Sequence, residues 1–178
     1  MPKGNELLAT IEAVHAAGLD VEHWPAALAA VAKLFGGAGA MYEVFEIPSG
    51  RPIELRTFGI PSAAEFDYLE HYVPANPRAA YARSHAGDRV LWDYKALDER
   101  AMDRDPFYAE LLGRVDFRYF ISGQVFQTPG QIGVVSAQRT PTQGRRADRQ
   151  ARVRIPFDRK PHAFRHGARR HRQAPRPE

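Results

Sequence analysis

The chain has no cysteine among its 178 residues. That excludes disulfides, thiol nucleophiles and cysteine-ligated zinc or iron–sulfur centres, and it fits a reducing cytoplasm. It also lacks any apolar run approaching the ~18 residues of a spanning helix, so a soluble, cytoplasmic protein with no membrane partner is expected. No G-x-S-x-G, P-loop, G-x-G-x-x-G or H-E-x-x-H motif occurs, which argues against an enzyme and gives no reason to expect a cofactor. The acidic run Asp98–Asp105 lacks the central Gly and terminal Glu of a calcium loop. With arginines interspersed it reads as a solvated loop leading to a helix cap, and no metal site is expected.

A second absence is local. Residues 141–178 contain no leucine, tyrosine or tryptophan, although they hold eleven arginines and five prolines. The total of 25 Lys+Arg against 21 Asp+Glu divides into 13 against 18 up to Thr140 and 12 against 3 beyond it. An acidic body therefore carries a strongly basic appendage. About 140 residues suffice for one core, so the division expected is a folded domain over 1–140 and a disordered tail over 141–178. Val153, Ile155 and Phe157 alternate like a strand, but Arg152, Arg154 and Pro156 interleave them.

Two readings of the tail follow. Arg145, Arg146, Arg149, Arg152, Arg154, Arg169, Arg170 and Arg172 would neutralise phosphates and give weak, sequence-independent DNA binding. Only Phe157 and Phe164 fall among them, too few for a stacking platform. Alternatively, the Arg, Pro, Ala, Gly and His bias is that of GC-rich DNA translated out of frame. His162 and His166 have the i, i+4 spacing of a helical metal pair, but their arginine-rich setting argues against ligation.

What is present before Thr140 is periodic. Leu7, Leu8, Ile11 and Val14 recur at helical spacing, predicting a helix from Glu6 to Ala17 ended by Gly18. Asp20 and Pro25 introduce a second helix, whose inward stripe is Trp24, Leu28, Val31, Leu34 and Phe35. From Ala40 the period becomes two. Ala40–Ile47 and Ile53–Phe58 flank Pro48-Ser49-Gly50, and Asp116–Gln127 and Gln131–Arg139 flank Thr128-Pro129-Gly130, so two hairpins are expected. Between them, Pro61–His71 reads as a helix with Phe66, Leu69 and Tyr72 inward. Asp105-Pro106 opens another helix, with Phe107, Tyr108, Leu111 and Leu112 as its apolar face. This order predicts an α+β fold, an antiparallel sheet flanked by helices in the manner of small sensory domains.

The central stretch places Tyr68 and Tyr72 four apart on one helix face, then Asn76 before Pro77, then Trp92. Aromatic walls with one or two polar anchors suit a small-molecule pocket. The same aromatics could equally fill core. The pattern resembles the N-terminal sensory domains of LuxR-type transcription regulators, in which a Y-x-x-x-Y…D-P segment and a downstream tryptophan frame a small-molecule site. Asp105–Leu112 and Trp24–Val31 are similar to GAF/PAS-like members of that helix-turn-helix family, and the resemblance covers roughly Leu7 to Gln143. It implies a GAF/PAS or autoinducer-binding sandwich, a ligand site at Tyr68, Tyr72, Asn76 and Trp92, a small partly apolar ligand and a possible homodimer. Asn76 stands where acyl-homoserine-lactone sensors carry an aspartate that accepts the ligand amide; asparagine keeps an acceptor oxygen without the charge, which argues against a lactone. The family continues into a helix-turn-helix module, and residues 141–178 show no such pattern. The expected function is thus a ligand-sensing regulatory domain lacking its own helix-turn-helix, with non-specific nucleic-acid binding through the tail as the alternative.

Overall fold

A computed structural model describes residues 4–143. The arginines named from Arg145 to Arg172, and His162 and His166, lie outside the described residues. The chain begins with helices α1 (Gly4–Leu19) and α2 (Trp24–Leu34), joined by a short helical turn at Val21–His23. Strands β1 (Gly39–Glu46) and β2 (Pro52–Phe58) form the first hairpin. Then come α3 (Ser62–Asp67), a wide π-type turn at Tyr68–Tyr72, α4 (Pro77–Ser84), β3 (Val90–Trp92) and the short helices α5 (Asp93–Ala96) and α6 (Glu99–Met102). A second π-type segment, Phe107–Leu112, leads to the closing hairpin of β4 (Tyr119–Gln127) and β5 (Gln131–Arg139). The five strands are antiparallel in the order β2-β1-β5-β4-β3, as an α+β sandwich requires.

Strand alternation separates two cores. Tyr42, Val44, Val135 and Ala137 face α1 and α2, where Trp24 stacks on Tyr42 with ring centroids 3.9 Å apart. The other face is covered by the segments between the hairpins, through Tyr68, Met102, Phe107, Tyr108, Leu111 and Leu112. Both expected hairpins form, and Asp105 caps its segment by accepting the Phe107 N–H at 2.9 Å.

Several expectations are corrected. In α1 the larger apolar residues Leu7, Leu8 and Ile11 are exposed, whereas Thr10 and Ala17 are buried and Ala13 and Val14 pack on the core. The helix turns its small-residue face inward, which brings its backbone close to α2. Phe66 is 63% and Leu69 41% exposed, and the buried residue of that segment is Tyr68 at 5%. Phe35 is exposed beyond the end of α2. The sequence reading also missed β3, because three residues are too few to show a period. Among the described residues no helix is long and apolar enough to cross a membrane.

Candidate functional site

The second core is incomplete. Between the inner sheet face and the α3–α4 region lies a cavity of about 390 Å³, within the range of small-molecule sites. Met41, Glu43 and Phe45 reach it from β1, and their cross-strand partners Ser136, Val134 and Ile132 reach it from β5. Leu111, Phe117 and Phe120 add apolar wall. The cavity extends to the exposed residues Pro48, Arg83 and Ala86, between the β1–β2 turn and the end of α4.

One cluster of its polar groups centres on Tyr68. The Tyr68 hydroxyl donates to Glu43 Oε1 at 2.8 Å and accepts from Asn76 Nδ2 at 3.4 Å. Asn76 Oδ1 is occupied as the cap of α4, accepting the Arg78 N–H at 2.9 Å. All three side chains are buried. Burial pushes the Glu43 carboxyl up to about 7, with Tyr68 and Arg78 opposing that rise. Burial and the neighbouring Glu43 together hold the Tyr68 hydroxyl well above its usual range.

Arg78, at the cavity wall, anchors a second buried network. Its guanidinium is 2.8 Å from Asp93 Oδ1 and donates to Gln138 Oε1 at 3.1 Å, to the Arg118 carbonyl at 3.0 Å and to the Tyr108 hydroxyl at 3.1 Å. The Phe120 ring lies 4.0 Å from its carbon centre. Asp93 is satisfied in turn by the Tyr108 hydroxyl at 2.6 Å and the Phe120 N–H at 2.5 Å. Burial alone would lower the Arg78 pKa, but Asp93 and Tyr108 outweigh it and raise the value. This network ties α4, α5 and the Phe107–Leu112 segment to β4 and β5, fixing one side of the cavity.

Of the residues singled out from the sequence, Tyr68 and Asn76 line the cavity and touch each other. Tyr72 and Trp92 lie outside its wall. The Tyr68 and Tyr72 rings do share a side, both meeting Phe107 edge-on at 6.3 and 6.5 Å. Their hydroxyls diverge, however, and that of Tyr72 donates to Glu110 at 3.0 Å near the surface. Trp92 is paired with Ile121 in the sheet, whereas its neighbour Leu91 is paired with Ser122. Leu91 and Ser122 face the cavity and Ile121 packs against the opposite core, so alternation takes Trp92 away from the site. Lys95 Nζ sits 4.6 Å from the Trp92 ring.

Sequence reasoning missed Glu43, Arg78, Asp93 and Gln138. Glu43 carried a signal: it is the charged residue on the Met41, Glu43, Phe45 side of a strand whose other side also had to be buried. Gln138 had the same signal at the end of β5, while the Arg78–Asp93 pairing spans 15 residues and depends on tertiary structure alone.

The fold is similar to those of two solved bacterial proteins. Superposition on the N-acylhomoserine lactone-dependent LuxR family transcription factor CepR2 from Burkholderia cenocepacia gives a TM-score of 0.58 at 16% identity, covering 84% of this chain and 88% of that one. The ligand-binding domain of VqsR from Pseudomonas aeruginosa gives 0.57 at 11% identity, covering 84% and 91%. At these identities the likeness concerns the fold. No family model matches the sequence, and no curated protein matches it either.

Proposed function

We propose that this chain is a ligand-sensing regulatory domain of the LuxR type, which binds a small, partly apolar molecule without transforming it. The observation that carries the reading is the cavity itself, apolar on most sides with Glu43, Tyr68 and Asn76 clustered on one. Such a site orients a ligand through few polar contacts while its walls supply affinity. The fold shared with CepR2 and VqsR supports a sensing role rather than catalysis. In this reading, ligand binding joins the sheet to the α3–α4 segment and stabilises the domain by mass action.

The test is a thermal-shift titration with small amphiphiles, run in parallel on Ala64→Phe. Ala64 lines the cavity and is half-buried, so the larger ring occupies ligand space. Saturable stabilisation of the wild type that disappears in the variant is expected. An equal shift in both proteins would place binding elsewhere.

A further inference from the structure

Glu43 is placed where a charge has no evident structural use. Its side chain projects from β1 into a largely apolar cavity, it is 91% buried by its 9% exposure, and Tyr68 is its hydrogen-bond partner among the described residues. A glutamine would accept the same hydroxyl at much lower desolvation cost. The nearest buried cation does not neutralise it. Arg78 is already paired with Asp93, bonded to Gln138 and the Arg118 carbonyl, and covered by the Phe120 ring. With Arg78 and Asp93 cancelling, an ionised Glu43 leaves the buried groups at this site one negative charge in excess.

Asn76 offers a weaker acceptor. Its oxygen is neutral and already accepts the Arg78 N–H, and its amide nitrogen points to the Tyr68 hydroxyl. The Glu43 carboxylate is the buried charged acceptor at the cavity, whose other lining is mostly apolar but includes Ser136, Gln138 and the half-buried Glu65. An ammonium group beside it would balance the excess charge, while an attached hydrocarbon would fill the remaining volume.

Resting on the reading of the cavity as a ligand site, we infer that its ligand is an amphipathic amine, whose protonated head donates a hydrogen bond to Glu43 and whose tail lies against Met41, Leu111 and Phe117. The arrangement discriminates against anionic amphiphiles of the same shape, because two carboxylates would then share a dry site.

A series with one tail and three heads tests this: octylammonium, 1-octanol and octanoate, titrated calorimetrically at about pH 8 into wild type, Glu43→Gln and Ala64→Phe. A charge-assisted hydrogen bond predicts that octylammonium binds the wild type about ten-fold or more tighter than octanol, with octanoate weakest. In Glu43→Gln the preference for the amine over the alcohol should fall to within about three-fold, while octanol binding that remains saturable shows that the cavity is intact. If octanol binds saturably and Ala64→Phe blocks it, yet octylammonium binds no tighter or Glu43→Gln leaves its advantage unchanged, the amine assignment is wrong and the ligand site stands. If none of the three binds saturably, the ligand-site reading falls with it.

Discussion

Glu43 makes stability depend on pH in a direction opposite to that of most carboxylates. Its folded pKa is raised from 4.5 to about 7 by burial, so the folded state holds the proton more tightly than the unfolded chain. Its contribution is fully present below pH 4.5 and is lost as pH rises through about 7, by roughly 3 kcal/mol in all. The groups that face it, Tyr68 and Arg78, both keep their protons throughout that range. Denaturant titrations of wild type and Glu43→Gln between about pH 5 and 8 should therefore show the variant gaining on the wild type as pH rises. A constant difference would mean that the carboxyl is solvated. Arg78→Met should cost about 3–5 kcal/mol, since it strands Asp93 in the core. By contrast, Tyr72→Phe removes a near-surface hydrogen bond to Glu110; it should cost about 1 kcal/mol or less in the same assay and leave ligand affinity unchanged.

At the scale of elements, periodicity located helices and hairpins better than it oriented them. The alternation of β1, β2, β4 and β5 was legible because each strand runs long enough to show period two and is bounded by turn residues. Helix α1 forms where the spacing predicts but runs through Gly18 to Leu19, and close packing on α2 favours Ala13 and Ala17 over the Leu7 and Leu8 that gave the spacing. Leu8→Glu should thus change stability by about 0.5 kcal/mol or less, against about 2–5 kcal/mol for Leu28→Ala at a fully buried site in α2. Equal losses at the two positions would contradict the placement of α1. The candidate site was half legible for a related reason. Tyr68 and Asn76 come from one continuous segment, while Glu43, Asp93 and Gln138 arrive from strands and a short helix distant in sequence. Trp92 was misplaced because, without β3, nothing indicated that it and Leu91 face opposite sides of the sheet.

For the molecule as a whole, the periodic apolar segments end by Arg139, and the residues of both described cores lie before it. A chain ending at Gly144 should melt as the full chain does; a midpoint lower by more than a few degrees would show that the basic residues contribute to folding. The central claim is that the space between the inner sheet face and the α3–α4 region takes up a small amphiphile. Backbone amide shifts recorded by nuclear magnetic resonance during an octylammonium titration test it most directly, because Trp24, Tyr72 and Trp92 lie off the cavity and serve as internal controls. The account predicts saturable shifts at Met41, Glu43, Asn76, Arg78 and Ser136, with the controls unmoved. Saturable shifts centred on Tyr72 and Trp92, or on the Trp24–Tyr42 core, with the cavity residues silent, would contradict it.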